Sequence, residues 1–308
     1  MVSVLILTKN EEQDLPGCIE SVRWSDDLHV YDSGSTDATA AIANCAGANV
    51  VVRPSSSGEG LFGGNEADHK NWALANIPFK YNWVLNLDAD ERVTPDLVAG
   101  IQRAVENPGD KVAFRIRRRD LWGERWLKHV QASSYYLRLF RPDKMRYERL
   151  VNPVSIPDGP EGELAGFLDH YPFSKGMTHW LNRHNSYSSL EAQQFVRNRA
   201  ENQEFSLRKA FFGKEINQRR FHQKELFYRM PARPLFKFLL LYLGKRGFLD
   251  GCAGFQYAVL QSLYEYMIVL KTKELSGKQA APFAAGKVAP NPNAVSQESL
   301  HANPRTND

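Results

Sequence analysis

The stretch WVLNLDADERVTPDL, residues 83–97, decides how this chain folds, because it joins a buried strand to a helix start through a run of acidic residues. Trp83–Leu87 is almost wholly apolar, as expected of a strand that is covered on both faces of a sheet. The Thr-Pro pair at residues 94–95 is a typical helix start, since proline fits the first helical position. Asp88 and Asp90 therefore stand where a strand leaves the sheet, at the edge where open α/β sheets bind ligands.

The segments on either side of this stretch have the patterns of a mixed sheet. Before it, short apolar strands alternate with helical patterns, which is typical of parallel strands joined by crossover helices. Beyond Lys111, apolar and polar residues alternate, so the later strands are expected to be half exposed and antiparallel. The sequence therefore predicts an α/β fold in which helices flank a mixed sheet. The strands predicted before the stretch are Val2–Leu7, Leu28–Tyr31 and Asn49–Arg53.

The composition narrows the class of protein. The 308 residues are 43% hydrophobic and carry a formal net charge of +4, which suits a full core and excludes disorder of the whole chain. The basic residues form clusters without a large excess, which favours phosphates or an anionic membrane over nucleic acid as a partner. Three cysteines without paired spacing argue against disulfides and a thiolate zinc site. Because no secretory signal pattern follows Met1, we expect a cytoplasmic protein.

Asp88 and Asp90 are the candidate metal ligands. Two neighbouring carboxylates repel each other unless a cation joins them, and Mg²⁺ or Mn²⁺ is commonly held by one or two carboxylates together with diphosphate oxygens. The sequence thus predicts a site where a divalent cation meets a diphosphate. The alternative is a simple turn in which Asp90 caps the helix that follows.

Two further strand ends carry polar residues at the same predicted edge. Thr8, Asn10 and Glu11 follow the first strand, and Asp32 and Ser33 follow the second. A carboxylate there can accept hydrogen bonds from a base or a ribose, while the serine forms a wall of the pocket. Together these residues predict a nucleotide pocket, because the ends of parallel strands share one rim. A dinucleotide site would require G-x-G-x-x-G after the first strand, and the sequence has no such run there.

The residues after Asp32 also fit a purely structural role. Ser35 or Thr36 can cap a helix that runs through Cys45, with Asp37 favourably placed in its first turn. Asp32 itself lies outside the capping position. It is therefore the stronger candidate for a ligand contact.

These motifs together resemble the GT-A core of glycosyltransferase family 2. Further residues are similar to the branch that includes lipopolysaccharide core β-glucosyltransferases of the WaaE type. The likeness covers residues 1–275 and is strongest in the first third and in 231–275. The motifs similar to the GT-A core are Val4–Glu11, Asp32–Asp37 and Leu87–Glu91. The residues similar to the branch are Trp24, the Asp32 motif, Asp88–Arg92, His170-Tyr171, Asn182-Arg183 and residues 233–251.

The resemblance implies an inverting hexosyltransferase that uses a UDP-sugar donor. Asn10, Glu11 and Asp32 would then surround the nucleoside, and Asp88 and Asp90 would surround the diphosphate and the metal. An acceptor hydroxyl, deprotonated by a general base, would attack the anomeric carbon from the face opposite UDP, while the cation stabilises the leaving diphosphate. Asp90 would thereby also be a catalytic residue.

The general base is where the sequence departs from the family. Members of the branch usually have a Val-His-Glu-like triplet at the segment aligned with residues 151–153, which here reads Val-Asn-Pro. Glu148 is the nearest substitute and Asp169 the second, although Glu148 also fits a surface ion pair with a neighbouring arginine. The resemblance further implies a metal or diphosphate contact from His170 and a diphosphate contact from Arg183.

The resemblance and the chain's composition divide it into parts. Residues 1–220 are expected to form the catalytic domain, with the nucleotide-sugar half in 1–110 and the acceptor half in 111–220. Residues 221–275 read as helices, which are too short or too polar to span a membrane but fit its interface. The alternatives are that these helices pack on the catalytic domain or form an oligomer interface. Residues 276–308 read as a disordered tail.

The function expected from this sequence is transfer of a hexose, most simply glucose, from UDP to a lipopolysaccharide core or related envelope glycan. The expected place is the cytoplasmic face of the inner membrane, with a glycan or lipid-linked acceptor. Two alternatives stay open at this point. One is transfer to a polyprenyl phosphate, and the other is a non-catalytic protein that binds nucleotide-sugars or scaffolds a membrane.

Overall fold

A computed structural model describes most of the chain up to residue 277. Val151 and Asn152, the first two residues of the segment that differs from the family's usual Val-His-Glu-like triplet, lie outside the described residues. Nearly all of the predicted tail also lies outside them. The described residues are 1–53, 66–131, 133–148, 153–200, 206–212, 219, 222–223, 226–227, 230 and 232–277.

A mixed sheet forms the centre of the molecule, which confirms the predicted α/β fold. The order along its main path is β3-β2-β1-β4-β8-β6-β11-β5. β1 to β4 pair in parallel, β8 runs antiparallel to both β4 and β6, and β11 pairs in parallel with β6. β7 pairs with β6, while β9 and β10 form a separate two-stranded sheet. The strands are β1 Ser3–Thr8, β2 Leu28–Asp32, β3 Asn49–Val52, β4 Val84–Asp88, β5 Glu91–Val93, β6 Ala113–Trp122, β7 Arg125–Trp126, β8 Tyr135–Phe140, β9 Met145–Glu148, β10 Val154–Pro157 and β11 Glu161–His170.

Helices flank the sheet and continue into the C-terminal region. Residues 240–244 form a π-helical turn, and two 3₁₀ turns lie at 142–144 and 247–250. The part of the chain that the structure describes contains no helix long and apolar enough to cross a membrane. The α-helices are α1 Leu15–Ser21, α2 Thr39–Cys45, α3 Glu66–Asn76, α4 Pro95–Glu106, α5 Gly176–Ala200, α6 Leu207–Phe212, α7 Arg233–Leu239 and α8 Gly251–Leu275.

Apolar residues on the two sides of the sheet form separate buried clusters. One joins β1 and β4 to α1 and α4 through residues such as Leu15 and Leu97, and the other joins Leu5 and Tyr31 to α3. A third cluster packs the segment after β7 against α8. The sheet is thus covered on both faces, which leaves its edges and strand ends as the places where ligands can bind.

The two predicted helix starts have different outcomes. α4 begins at Pro95, and the Thr94 hydroxyl accepts from the Leu97 N–H at 3.4 Å. Thr94 is therefore the cap, and the alternative that Asp90 caps this helix is wrong. The predicted cap of α2 at Ser35 or Thr36 is also wrong, because α2 begins at Thr39. The physical reason is that residues 33–38 bond to other loops at the strand ends, so the helix starts only after them.

Candidate active site

The ends of β1, β2 and β4 meet at one edge of the sheet. Thr8 is in register with Asp32, and Leu7 is in register with Asp88. The side chains that follow these strands therefore share a rim, as the strand pattern predicts. The geometry of this rim defines the candidate active site.

Asp32 holds its own loop together. One carboxylate oxygen accepts from the Thr8 hydroxyl at 3.0 Å and the Ser35 hydroxyl at 2.5 Å, and the other accepts from the backbone N–H groups of Gly34 at 3.2 Å and Ser35 at 2.8 Å. The residue is only 2% exposed. Four donors occupy the acceptor capacity of a carboxylate, so a ligand would have to replace one of them. The predicted contact of Asp32 with a nucleoside stays a prediction.

Ser33 lies behind this loop in a small buried polar cluster. Its hydroxyl is 3.0 Å from Nε2 of His69, and the Tyr31 hydroxyl is 2.9 Å from Nδ1 of the same ring. Burial lowers the pKa of His69 to about 4, so the ring is neutral near pH 7. A residue on α3 thus fixes the wall of the predicted nucleotide pocket.

We expect this histidine to make folding less stable in mild acid. Its folded-state pKa of about 4 lies below the unfolded value of 6.5, so the unfolded chain binds the extra proton as pH falls between the two. The contribution of His69 to the free energy of unfolding is fully present above pH 6.5. It falls by about 2 kcal/mol between pH 6.5 and pH 4, after discounting for partial solvent access. Urea unfolding of wild type and His69→Gln at pH 7 and pH 4.5 checks this. Equal losses in both proteins would contradict it.

Asn10 and Glu11 connect the end of the first strand to the loop before α2 and to Lys175, just before α5. Asn10 adopts a left-handed backbone with φ of 56°, its N–H donates to the Ser35 hydroxyl at 2.8 Å, and its Oδ1 accepts from the Thr36 N–H at 2.8 Å. Glu11 pairs with Lys175 at 2.7 Å. Burial raises the pKa of Glu11 to about 7 in spite of this lysine. Asn10 thus shapes the rim, and Glu11 supplies a partly buried carboxyl group to it.

The two acidic residues after β4 have different partners. Oδ2 of Asp88 lies 2.6 Å from Nη2 of Arg138, which lies equally close to Oε1 of Glu91. The other Glu91 oxygen accepts from the Asp88 N–H at 3.0 Å. Desolvation opposes ionisation of Asp88, but the charges of Arg138 and Lys70 outweigh it and keep its pKa below the usual range. Asp88 is therefore an anion that this arginine holds in place.

Asp90 faces His170 instead. Its Oδ2 lies 3.2 Å from Nε2 of the imidazole, whose Nδ1 bonds to Oδ1 of Asp120 at 2.7 Å. Burial favours the neutral ring, but the two carboxylates outweigh it and raise the pKa of His170 to about 9. The protonated ring is therefore paired with a carboxylate on each side, and a cation bound there would replace the proton on Nε2.

Asp90 and His170 fit a divalent cation. Two ligand atoms at right angles around a cation, each about 2.1 Å from it, are about 3 Å apart, which is close to the separation of Oδ2 and Nε2. A carboxylate behind the distal ring nitrogen, as Asp120 is here, is a common feature of metal-binding histidines. Within the described ranges, no group of three or more His, Cys, Asp or Glu side chains is arranged to hold a metal. Oxygens of a bound diphosphate would therefore have to complete the coordination.

The two candidates for general base are both paired. Asp169 lies beside Arg119 in a two-point pair, with Nη2 and Oδ2 3.0 Å apart. Glu148 ends β9 and lies 3.1 Å from Arg146, with both side chains more than half exposed. The Glu148–Arg146 pair is the surface ion pair that the sequence allows as the alternative role of Glu148. Both roles as a base stay predictions.

Arg183 lies on α5, and its positive charge interacts electrostatically with Asp90 and Glu11 at the rim. Its Nε donates to the Tyr187 hydroxyl at 2.9 Å. Burial lowers its pKa, but Tyr187, Asp90 and Glu11 outweigh this and raise it. The arginine is therefore a cation near the acidic rim, where the resemblance expects a diphosphate contact.

Several residues of this site were not predicted from the sequence. Arg138 and Asp120 lie on strands that are distant from Asp88 along the chain, and no motif connects them to it. Lys70 acts on the charge of Asp88 from α3. A search for polar residues at positions that alternate with apolar ones would find Arg138, since β8 is apolar on either side of it.

Known proteins are similar to this chain over most of its length. The family model described as glycosyl transferase family 2 matches residues 3–159. The chain is similar to the lipopolysaccharide core biosynthesis glycosyltransferase LpsC of Rhizobium meliloti, with 28% identity over 91% of this chain and 95% of that protein. It is also similar to an uncharacterized glycosyltransferase of Rickettsia typhi, with 25% identity over 90% of this chain and 88% of that protein.

The similarity to solved structures is more limited. Glucosyl-3-phosphoglycerate synthase from Mycobacterium tuberculosis, in complex with Mn²⁺, UDP-glucose and phosphoglyceric acid, matches with 24% identity and a TM-score of 0.31. The match covers 39% of this chain and 44% of that one. The chain thus spans less than half of that structure.

Proposed function

We propose that this chain, which belongs to glycosyl transferase family 2, moves a hexose from a UDP-sugar to a lipopolysaccharide core or related envelope glycan with inversion of configuration. The observation that carries the proposal is the approach of Asp90 to His170 at the rim shared by β1, β2 and β4. The similarity to LpsC over nearly the full length of both chains supports the class of acceptor.

The proposed donor site uses the residues of the rim. The loop that Asp32 holds would receive the nucleoside, with Asn10 and Glu11 beside it. The diphosphate would lie near Asp90, His170 and the cationic Arg183. A Mg²⁺ or Mn²⁺ ion held by Asp90 and His170, with Asp88 close by, would stabilise negative charge on the leaving diphosphate.

The proposed reaction needs a base on the face of the sugar opposite the diphosphate. Glu148 is our first candidate, because its exposed pair with Arg146 costs little free energy to break. Asp169 is the second, although its two-point pair with Arg119 occupies both of its carboxylate oxygens. The base would take the proton of an acceptor hydroxyl, whose oxygen then bonds to the anomeric carbon as the bond to UDP breaks.

A donor screen tests this function. Purified protein is mixed with UDP-, GDP- and TDP-sugars, and release of the nucleotide is measured with Mn²⁺, with Mg²⁺ and with EDTA. We expect release from a UDP-hexose that requires the cation. Release from no donor would favour the alternative of a non-catalytic scaffold. Stronger turnover with a polyprenyl phosphate than with a glycan acceptor would favour the other alternative.

We also propose that the protein acts at the cytoplasmic face of the inner membrane. Between residues 232 and 264, Arg233 and Asp250 are buried, and the other charged side chains are the cations Lys237, Lys245 and Arg246. This excess of positive charge on the surface of the region fits an anionic lipid surface. Large exposed apolar side chains surround these cations, and we call them the apolar surface: Leu235, Phe236, Leu239, Leu240, Leu243, Phe248, Leu249, Phe255, Val259 and Leu263.

Two substitutions on the apolar surface should release the protein from lipid. Leu243 and Phe248 are each about half exposed, and removing two such groups from a lipid interface costs about 3 kcal/mol or more. We therefore expect Leu243→Glu with Phe248→Glu to weaken binding to phosphatidylglycerol vesicles by at least about tenfold in a sedimentation assay. The control is Val52→Glu, which changes an equally exposed residue on β3. Unchanged binding, or a dimer that the double variant abolishes, would contradict the membrane proposal.

A further inference from the structure

His170 is supported from behind by side chains that lead to α8. Oδ1 of Asp120 accepts from Nδ1 of His170 at 2.7 Å. The Gln131 side chain lies near the Asp120 carboxylate, and the Leu127 N–H on the same segment donates to the Asp120 carbonyl at 2.9 Å. The Tyr257 hydroxyl, on α8, donates to Oε1 of Gln131 at 2.8 Å. A series of polar contacts thus connects the C-terminal helix to the ring that faces Asp90.

The segment that carries Gln131 is fixed to the C-terminal helices. The Asp250 carboxylate, just before α8, accepts from the backbone N–H groups of His129 at 2.9 Å and Val130 at 2.8 Å. Leu127 and Val130 are fully buried against residues of the π turn and α8. Gln131 therefore keeps its place only while these helices stay packed.

The direction of the Gln131 amide depends on Tyr257. An amide oxygen only accepts and an amide nitrogen only donates, while the Asp120 carboxylate only accepts. The Tyr257 hydroxyl donates to the oxygen, which leaves the nitrogen to face Asp120. Without that hydroxyl, the amide loses the donor that fixes which way it points.

We propose that Tyr257 is a positioning residue for the cation site, acting through Gln131 and Asp120 on the orientation of His170. The inference rests on the proposed function, because it assumes that His170 and Asp90 bind the cation. Partners behind a metal-binding histidine fix the direction of its ring and influence metal affinity. The C-terminal helices would thus complete the active site in addition to any contact with lipid.

The test is the affinity of the full chain for Mn²⁺ in the presence of saturating UDP, which supplies the diphosphate oxygens, measured by electron paramagnetic resonance against Mn²⁺ and UDP without protein. Tyr257→Phe removes one hydroxyl and keeps the ring that packs edge-on against Phe173. We expect it to weaken Mn²⁺ binding by about two- to tenfold, which corresponds to the loss of one hydrogen bond. Gln131→Leu should weaken binding similarly. The variant with both substitutions should bind Mn²⁺ about as tightly as the single variant of lower affinity, because the two residues act through the same contact.

Tyr264→Phe is the matched control. Tyr264 lies two turns further along α8, where its ring packs against His184 instead of Gln131. We expect wild-type affinity for Mn²⁺ in this variant. Thermal unfolding of every variant shows whether the fold is retained, and Gln131→Leu carries the test if Tyr257→Phe does not fold.

The outcomes separate this inference from the proposed function. Wild type that binds no Mn²⁺ would overturn both. Wild type that binds Mn²⁺, with Tyr257→Phe and Gln131→Leu binding equally well, would overturn only the role of Tyr257. Equal weakening in Tyr257→Phe and Tyr264→Phe would mean general loosening of α8, which also overturns it.

Discussion

Asp90→Asn should lower metal-dependent turnover of the preferred UDP-sugar by about 100- to 1000-fold, as expected when a group that stabilises the leaving charge is removed. The substitution keeps the shape of the side chain and removes its charge. Asparagine keeps an oxygen that can face His170, but an amide is a weaker ligand for a divalent cation than a carboxylate. The measurement is nucleotide release at saturating donor and at several Mn²⁺ concentrations.

The control for this prediction is Asp96→Asn. Asp96 is an exposed acid in the first turn of α4, so its substitution removes the same charge without touching the rim. We expect turnover within about twofold of wild type, because exposed changes of this kind have small effects. Turnover by Asp90→Asn that stays near wild type would refute a catalytic role for the Asp90–His170 pair.

Arg138→Met should destabilise the fold by about 3–5 kcal/mol, the cost of leaving a buried carboxylate without its partner. Arg138 is 7% exposed and contacts both Asp88 and the fully buried Glu91. Removing it leaves the fully buried Glu91 with only the more distant Arg118, at 3.7 Å, and beside the partly exposed Asp88. Urea unfolding at pH 7 measures the loss, and adding Glu91→Gln to the variant should restore part of it because one of the buried charges is then absent.

Arg23→Met provides the comparison for this effect. Arg23 forms an exposed pair with Glu20 one turn away, at 2.7 Å. Exposed pairs of this kind contribute about 0.2–1 kcal/mol, so the loss should be several times smaller than for Arg138→Met. Similar losses in the two variants would mean that the Arg138 pair adds no more to stability than an ordinary surface contact.

The positions of the strand ends could be predicted because they depend on local patterns. Apolar runs before Asp88 and Asp32 show where two buried strands end, and parallel pairing then brings these ends to one rim. The helix start at Thr94 also follows from two adjacent residues. Fold class and the centre of the site therefore follow from short segments of sequence.

The partners of these residues could not be predicted, because they come from distant strands. Asp120 and Arg138 reach the rim from β6 and β8, and nothing nearby in sequence indicates which residues of the rim they contact. The start of α2 was mispredicted for a related reason. Ser35 bonds to Asp32 and Asn10 across the rim, and this tertiary contact overrides its preference for a helix cap.

The hydrogen bonds from the backbone of residues 129 and 130 to Asp250 have a consequence for engineered variants of this protein. A chimaera that joins residues 1–220 to an unrelated membrane anchor would keep every strand of the sheet but lose the carboxylate that secures this segment. Any added segment should therefore be joined beyond α8, and the proposed lipid contact is better tested by changing outward-facing side chains than by cutting the chain.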